Sequence, residues 1–321
     1  MRAVYAKSLS PQDPLAGLDV GDLPEPEAPA ADWEKITLKA SALNHHDLFS
    51  LGGVLDQEVL PMILGSDGAG IDAAGNEVIV HSVIASPGWR GDETLDPKRT
   101  ILSERHPGTM SDHVWVPAGN TVPKPAELSW EEAACLPTSW LTAYRMLFSV
   151  SPAKPGSTIL IQGAGGGVST ALTTMAAATG FRVWVTSRSR EKQTHALMLG
   201  ADQVFDPGAR LPKRVDAVFD SVGQATWDHT LKSVRPGGTV VTCGATSGSS
   251  AVTELNRVFF TQLKILGSTM GTRDELDRLT GFLVGTGIRP TIDSVLPLNH
   301  AVKGFTRMLG GSLMGKIVFT H

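Results

Sequence analysis

The feature that most constrains this chain is a short apolar run that leads directly into a cluster of glycines. Thr158–Gln162 has the composition of a buried strand, and seven small residues follow it: Gly163, Ala164, Gly165, Gly166, Gly167, Val168 and Ser169. Bare backbone N–H groups at the start of a helix attract a diphosphate, because the helix dipole adds to their positive charge. The spacing departs from the strict G-x-G-x-x-G pattern, since Val168 and Thr170 stand where the third glycine would fall. The run therefore predicts the diphosphate site of a dinucleotide, with an unliganded turn as the alternative.

Strand-like and helix-like segments alternate on both sides of this loop. Strands are predicted over 158–162, 182–186, 215–220, 239–243 and 263–268, and helices near 168–179, 190–199, 224–234 and 252–261. A further helix is predicted over Trp130–Ser149. Regular alternation with apolar strands predicts an α/β fold in which helices cover both faces of a doubly wound parallel sheet.

The two ends of the chain have a different texture. Short alternating segments at 36–40, 77–84 and 113–116 are separated by frequent proline and glycine, which indicates an irregular β domain. The last fifty residues contain a helix-like stretch, 273–284, and two strand-like stretches, 292–296 and 316–319. We therefore expect residues 1–120 to form one domain, 121–270 a second, and 271–321 to return to the first.

Composition narrows the class of protein. The chain has 321 residues, with 28 Lys and Arg against 32 Asp and Glu. This balance supplies no positive field for nucleic acid or for an anionic membrane. The 2 cysteines, Cys135 and Cys243, cannot build a disulfide framework or a four-cysteine metal cluster. With no signal-like start and no apolar run of membrane-spanning length, we expect a cytoplasmic protein.

The end of the second strand predicts which dinucleotide binds. An acidic residue there would bond the adenosine ribose, whereas basic residues would meet a 2′-phosphate. The strand runs instead into Ser187 and Arg188, with Lys192 close behind. These residues favour NADP(H), the alternative being that Arg188 and Lys192 only solvate the start of a helix.

Several short motifs recur in a familiar order along nearly the whole chain: Ala42–Leu48, Leu60–Gly70, Leu141–Tyr144, the glycine loop, Leu199–Asp202, Asp220–Gly223, Arg235–Gly238 and Gly315–Val318. Together they resemble the zinc-independent, quinone oxidoreductase-like members of the medium-chain dehydrogenase/reductase superfamily. The resemblance implies a GroES-like β domain interrupted by a Rossmann domain, with the active site in the cleft between them. It also implies a homodimer formed through the edge of the Rossmann sheet, for which Phe259–Leu266 is the candidate segment.

The same resemblance bears on metal binding. Zinc-dependent relatives place a cysteine where this chain has Asn44, a His-Glu pair at Ser66 and Asp67, and a third ligand near Thr138. Amide and hydroxyl side chains do not form the thiolate and imidazole site that zinc prefers. The region 86–110 contains no cysteine for a structural zinc. We therefore predict no metal, and the adjacent His45 and His46 are interpreted as a wall of the cleft.

The resemblance also assigns roles to individual residues. Asn44, Asp47 and Thr138 are the predicted catalytic group, with Asn44 or Thr138 donating a hydrogen bond to a developing oxyanion and Asp47 also capping a helix. Lys316 is expected near the cofactor, and Cys243 is either a reactive thiol or a small buried apolar residue. The other predicted cofactor residues, besides the glycine loop, are Thr142, Ser187, Arg188, Lys192, Val222, Gly244, Ala245, Ser268, Thr269 and Met270.

These residues predict NADPH-dependent hydride transfer to a small electrophile, either a quinone or an activated α,β-unsaturated carbonyl compound. Related enoyl reductases keep a tyrosine proton donor at Gly52–Asp56, whereas the tyrosines of this chain are Tyr5 and Tyr144; this weakens the case for an enoyl thioester. One alternative is a redox sensor or scaffold that binds NADPH with little turnover. Another is a methyltransferase, suggested by Pro236-Gly237-Gly238, although the first strand ends in Gln162 rather than in an acid.

Overall fold

The computed structural model describes all residues from Met1 to His321 and divides into two compact units. The first unit contains Met1–Leu141 and Met270–His321, and the second contains Thr142–Thr269. None of the helices combines the length and the apolar character that crossing a membrane requires.

The first unit is the GroES-like β domain. Its strands are β1 (Arg2–Ala6), β2 (Leu18–Asp22), β3 (Trp33–Ala42), β4 (Met62–Ile63), β5 (Gly68–Ile71), β6 (Glu77–Val80), β7 (Val83–Ile84), β8 (Thr100–Ile101), β9 (His113–Pro117), β10 (Thr121–Pro123), β17 (Ile292–Pro297) and β18 (Lys316–Thr320). A sheet in the order β10-β6-β5-β3-β18-β17, with β9 also paired to β3, lies beside a β2-β1-β4 sheet and a β7-β8 pair. The C-terminal strands therefore complete the N-terminal sheet.

Strand β3 organises this unit because its side chains alternate between core and solvent. Ile36, Leu38 and Ala40 are buried, and the residues between them are exposed, which confirms the strand predicted at 36–40. The strand predicted at 113–116 is confirmed as β9, which pairs with β3. The single segment expected at 77–84 forms two strands instead, β6 and β7.

The second unit is the Rossmann domain. Its strands are β11 (Thr158–Gln162), β12 (Arg182–Thr186), β13 (Gln203–Phe205), β14 (Val215–Asp220), β15 (Val234–Thr242) and β16 (Lys264–Gly267). All are parallel, in the order β13-β12-β11-β14-β15-β16, which is the doubly wound arrangement. Three of the predicted strands are confirmed residue for residue as β11, β12 and β14. The order of strands changes direction beside β11, so the loop after that strand lies where such sheets bind ligands.

Nine helices connect these strands. They are α1 (His45–Phe49), α2 (Trp130–Ala134), α3 (Leu141–Tyr144), α4 (Gly167–Ala178), α5 (Arg190–Met198), α6 (Trp227–Ser233), α7 (Leu255–Phe260), α8 (Arg273–Thr286) and α9 (Ala301–Leu309). The two longest are α8 in the first unit and α4 in the second. Single 3₁₀ turns occur at Pro14–Gly17, Gln57–Val59, Glu93–Leu95 and Leu298–His300, and π-helical turns at Ser50–Val54, Leu136–Trp140 and Arg145–Val150.

Two predicted elements differ from the structure in form. The helix expected over Trp130–Ser149 is helical over nearly that whole range, but it consists of α2, α3 and two π-helical turns instead of one regular α-helix. Pro137 lies in the first of these turns and cannot donate a backbone hydrogen bond, which disfavours a regular helix there. The run Phe259–Leu266 is not one strand, since Phe259 and Phe260 end α7 and only its last residues join edge strand β16.

Candidate functional site

The loop after β11 has the backbone geometry of an anion cradle. Gly163 has a φ of +87°, a left-handed conformation that glycine adopts without steric cost. The N–H of Gly163 donates to Thr186 Oγ1 at 3.3 Å, and that of Gly166 to Ser169 Oγ at 3.1 Å. The backbone N–H groups of four loop residues, Ala164, Gly165, Gly167 and Val168, have no hydrogen-bond acceptor within the protein. These donors face the start of α4, where a diphosphate is favoured.

Ser169 has a local role in the loop. Besides accepting from the Gly166 N–H, its hydroxyl donates to the Gly166 carbonyl oxygen at 3.0 Å. The side chain is buried and its one proton is used, so it closes the loop on itself. The hydroxyl therefore stabilises the loop itself and is not free to donate to a phosphate.

A buried polar network beneath the loop connects three strand ends. Thr186 Oγ1 donates to Gln162 Oε1 at 2.7 Å, and Gln162 Nε2 donates to Thr230 Oγ1 at 3.0 Å. Thr230 in turn donates to Asp220 Oδ2 at 2.6 Å. The other Asp220 oxygen accepts the N–H groups of Val222 and Gly223 at 2.8 and 3.0 Å. This network holds the glycine loop and the segment after β14 in fixed positions, and sequence reasoning missed it as a unit.

The end of β12 presents a cation without a partner. Arg188 is exposed and makes no hydrogen bond or ion pair within the protein. Its neighbour Arg190 is engaged, with Nη1 donating to Gln193 at 2.9 Å and Nη2 to Asp206 at 3.4 Å. Ser187 is buried, and its Oγ accepts the Ser189 N–H at 3.2 Å. Of the two arginines, Arg188 is therefore the one available to an anion.

Most of the remaining predicted cofactor residues of the second unit lie at or near its strand ends, and Thr142 lies in α3. Cys243 follows β15, and burial together with the charge of Asp220 raises the pKa of its thiol to about 12. A Cβ on Gly244 would lie 3.2 Å from the Ser221 carbonyl oxygen, so the next segment runs close past β14. The hydroxyl of Ser268 is buried with no hydrogen-bond partner. Thr142 begins this unit and Thr269 ends it, while Ala245 follows Gly244.

Strand register brings the polar residues of the first unit together. Ala42 of β3 pairs with Val318 of β18, so continuing the antiparallel register places Asn44 opposite Lys316. The Ala42 N–H donates to the Asp67 carbonyl oxygen at 3.2 Å, which places Asp67 on the other side. Three segments distant in sequence therefore meet at one end of β3.

Lys316, Asp67 and Asn44 form a buried ion-pair cluster there. The Lys316 ammonium donates to Asp67 Oδ2 at 2.7 Å, to Asn44 Oδ1 at 2.6 Å and to the Leu43 carbonyl oxygen at 2.8 Å. Asn44 Nδ2 also donates to Asp67 Oδ2 at 2.8 Å. Lys316 is 2% exposed and Asp67 0%. All three ammonium protons are used inside the protein, so Lys316 orients Asn44.

Asp47 lies beside this cluster and anchors two loops. Its carboxylate accepts the Asn44 N–H at 2.8 Å, which caps α1, and the Gly65 N–H at 2.9 Å. The capping role predicted for Asp47 is confirmed. Burial raises the pKa of Asp47, although both N–H groups favour the charged form. The carboxylate thus aligns the segment of Asn44 with the segment that carries Ser66 and Asp67.

The adjacent histidines have separate environments. His46 Nε2 lies 3.2 Å from Glu104 Oε1. Burial opposes a charge on His46, but Glu104 and Asp47 outweigh it and raise the pKa of this histidine. Burial lowers the pKa of His45, and the charge of Lys316 acts in the same direction. The two rings therefore lie in different electrostatic environments.

Comparison with known proteins identifies the family. Residues 167–285 match the zinc-binding dehydrogenase family. A zinc-type alcohol dehydrogenase-like protein, YogA, from Leptosphaeria maculans is 30% identical, with 91% of each chain covered. The chain belongs to the medium-chain dehydrogenase/reductase superfamily. It is accordingly an oxidoreductase by family.

Other members of the superfamily share the whole architecture. A crotonyl-CoA reductase from Streptomyces avermitilis is 26% identical, covering 89% of this chain and 78% of that protein. The crystal structure of an NAD-dependent alcohol dehydrogenase is 33% identical with a TM-score of 0.91, and each chain is covered in full. The 2-octenoyl-CoA carboxylase reductase CinF, solved with NADP and 2-octenoyl-CoA, is 25% identical with a TM-score of 0.90, covering 99% of this chain and 87% of that one.

The donor set of this dehydrogenase/reductase does not fit the zinc ion that the family name implies. Two of the positions expected to hold ligands meet through hydroxyl groups, Ser66 Oγ and Thr138 Oγ1, which are 3.1 Å apart. At the third, the Asn44 amide is bound to Lys316. No group of three or more His, Cys, Asp or Glu side chains is arranged to hold a metal ion. Asp67 is the one carboxylate at these positions, and it is paired with the Lys316 ammonium at 2.7 Å. Hydroxyls, an amide and a single carboxylate that is bound to a lysine do not form a zinc site.

Proposed function

We propose that this protein is an NADPH-dependent reductase that saturates the C=C bond of an α,β-unsaturated carbonyl compound without a catalytic metal. The observation that carries this proposal is what stands at the positions where zinc enzymes of the superfamily hold metal: the hydroxyls of Ser66 and Thr138 pair with each other, and Asn44 is bound to Lys316. Conjugation spreads the developing negative charge onto the carbonyl oxygen, where hydrogen-bond donors stabilise it. Reduction of an unconjugated ketone gains nothing from conjugation and depends more on a Lewis acid.

The relatives support the substrate class. Crotonyl-CoA reductase and CinF are both named for unsaturated thioesters. The missing tyrosine near Gly52–Asp56 separates this chain from enoyl reductases that use such a donor, so an enone or a quinone remains within the proposal. The common element is an electron-poor carbon conjugated to a carbonyl group.

The choice of NADPH over NADH rests on Arg188. A guanidinium group forms strong, charge-assisted hydrogen bonds to a phosphate, and this one has no partner in the protein. The strand that precedes it ends in Thr186, and Ser187 follows, so no acidic residue stands where one would bond the ribose. The related CinF was solved with NADP, which is in keeping with this assignment.

The proposed mechanism divides the work between the units. NADPH, when bound, supplies the hydride that the reaction needs. The loop Gly163–Ser169, with the open N–H groups of Ala164, Gly165, Gly167 and Val168, would hold its diphosphate, and Ser187, Arg188 and Lys192 would hold its 2′-phosphate. Main-chain groups of Val222, Gly244 and Ala245 would support the nicotinamide. In the first unit, Lys316 and Asp47 fix Asn44 and the Ser66 segment, and water delivers the proton to the substrate carbon.

An acceptor panel tests the proposal. Purified protein with its zinc content measured would be assayed for NADPH oxidation with crotonyl-CoA, an enone, a p-quinone and a saturated aldehyde. We expect turnover with at least one conjugated acceptor, little with the aldehyde, and less than 0.1 zinc per chain, an order-of-magnitude threshold for a metal-free enzyme. Tight NADPH binding without turnover on any acceptor would contradict the proposal and favour a redox sensor.

We also propose a homodimer formed at the edge of the Rossmann sheet. The edge strand β16 and the adjacent α7 expose Phe259, Phe260 and Ile265 by 57%, 77% and 38%. An uncovered apolar sheet edge favours association with a second copy. Sedimentation should give a dimer that Phe260→Glu converts to a monomer, and a monomeric wild-type protein would refute the proposal.

A further inference from the structure

Two hydroxyl groups of the first unit form an isolated pair. Ser66 is fully buried, and its Oγ has one hydrogen-bond partner, Thr138 Oγ1, at 3.1 Å. Thr138 lies in the π-helical turn Leu136–Trp140, and it is the one residue of that turn that is not buried. Such turns recur at functional sites because they redirect a side chain out of the regular helix.

The direction of the hydrogen bond follows from what each proton can reach. If Thr138 donated to Ser66 Oγ, the proton of the buried Ser66 hydroxyl would have no acceptor. Leaving a buried donor unpaired is costly, so Ser66 is the donor and Thr138 Oγ1 the acceptor.

The Thr138 proton is then left without a good partner in the protein. Its one other contact is the Ser66 carbonyl oxygen, at a long 3.5 Å. The Ser82 hydroxyl already donates to that same oxygen at close range. Thr138 thus presents a hydroxyl proton on a partly exposed side chain, and the bond from Ser66 polarises it, because hydrogen bonds in a chain strengthen one another.

We propose that Thr138 is a catalytic residue whose hydroxyl donates a hydrogen bond to the substrate carbonyl oxygen, and that Ser66 is a positioning residue that aligns and polarises it. This inference rests on the proposed function. Hydride from NADPH forms the new bond to the β-carbon, and the π electron pair moves onto the carbonyl oxygen as an enolate. Thr138 stabilises that negative oxygen by hydrogen bonding, water then protonates the α-carbon, and NADP⁺ is the oxidised product. Asn44 is not this donor, because Lys316 binds its amide oxygen and its amide N–H groups donate to Asp67 and, at 3.4 Å, to the Ala42 carbonyl oxygen.

Four variants and one control test the inference with the acceptor that wild type reduces best. Thr138→Val should lower kcat about 100-fold, as loss of one oxyanion donor does, with the Kd for NADPH unchanged. Thr138→Ser should stay within about threefold of wild type, and Ser66→Ala should lose about tenfold because Thr138 keeps its hydroxyl. Ser66→Ala/Thr138→Val should be no slower than Thr138→Val alone, since both changes disable one donor. Ser139→Ala removes a hydroxyl with no partner from the same turn and should leave kcat unchanged.

The outcomes separate this inference from the function on which it rests. The inference alone would be overturned if the wild-type protein reduces C=C bonds and the kcat of Thr138→Val is within twofold of the wild-type value. Additive losses in the double variant would also overturn it, because a merely structural Ser66 gives additive effects. A wild-type protein that reduces no acceptor would overturn the proposed function and this inference with it. The thermal midpoint and the Kd for NADPH report whether each variant is folded.

Discussion

The ion pair of Lys316 and Asp67 permits a quantitative test of the first unit. Lys316→Met keeps the length of the side chain but removes the ammonium group, which donates three hydrogen bonds of 2.6 to 2.8 Å. Asp67 is 0% exposed and would keep a single side-chain donor, the Asn44 amide. Its Oδ1 atom has no hydrogen-bond partner even in the intact protein. The substitution therefore leaves a buried, uncompensated carboxylate.

The magnitude follows from the burial of both partners. Removing one member of a buried pair costs about 3–5 kcal/mol, whereas neutralising both members together costs much less. The first unit has a size at which each kcal/mol shifts the midpoint by roughly 2–4 °C, so Lys316→Met should lower Tm by roughly 6–20 °C. Adding Asp67→Asn, which removes the stranded charge, should recover at least half of that loss.

Scanning calorimetry at pH 7.5 on the two variants and wild type measures both quantities. Lys303→Met is the matched control, since Lys303 is exposed on α9 and makes no hydrogen bond or ion pair. That control should change stability by at most about 0.5 kcal/mol. The reasoning is refuted if Lys316→Met loses less than about 1 kcal/mol, or if Lys316→Met/Asp67→Asn is as unstable as Lys316→Met alone.

Three further predictions concern cofactor choice, thiol reactivity and pH. Arg188→Ala should weaken NADPH binding about 10- to 100-fold and NADH binding less than about threefold. Arg190→Ala should change the binding of either cofactor little, because Arg190 is already paired within the protein. Fluorescence titration that shows equal losses for both cofactors in Arg188→Ala would exclude the phosphate contact. Since the pKa of Cys243 is raised to about 12 and its side chain is half-buried, Ellman's reagent at pH 8 should label this thiol much more slowly in native protein than after denaturation, and equal rates would contradict the raised pKa. Because the pKa of His46 is raised in the folded protein, its charge stabilises the fold fully below the ordinary pKa of 6.5, and this stabilisation is lost as pH rises through the raised pKa. The stabilisation from Glu104, whose pKa is lowered, is lost only as pH falls through that lowered pKa. The Tm difference between wild type and His46→Gln should therefore be largest in the mildly acidic range between these values and shrink above the raised pKa, and a difference that grows with pH would be contrary to this pairing.

The Rossmann unit was largely predictable from sequence because its signals are local. Strands such as β11 and β14 are continuous apolar runs bounded by turns, and their limits can be read directly. The capping role of Asp47 is also local, since Asn44-x-x-Asp47 has the spacing of a capping box. Pro137 is a local signal for the interruption of the helix after Trp130, because proline cannot donate a backbone hydrogen bond.

The polar cluster of the first unit could not be predicted because it depends on strand register. Asn44 and Lys316 are far apart in sequence, and pairing of β3 with β18 brings them together. Nothing in the local pattern around Lys316 indicates that its ammonium is buried rather than turned toward a cofactor. The direction of the bond from Ser66 to Thr138 likewise requires knowing that Ser66 is fully buried. One clue was available for the second unit, since Gln162 and Asp220 both end parallel strands and such ends converge.

Isotope transfer from labelled NADPH tests the central claim most directly. Zinc-depleted protein would be incubated with [4-²H]NADPH, each epimer in turn, and with the better of crotonyl-CoA and the enone, since a quinone product need not retain the label on carbon. The product would be analysed by mass spectrometry and NMR. The account predicts that one epimer delivers a single deuterium to the β-carbon, and that the rate without added metal equals the rate with added zinc. Product without deuterium, deuterium on the carbonyl carbon, or turnover that returns only when zinc is added would contradict it.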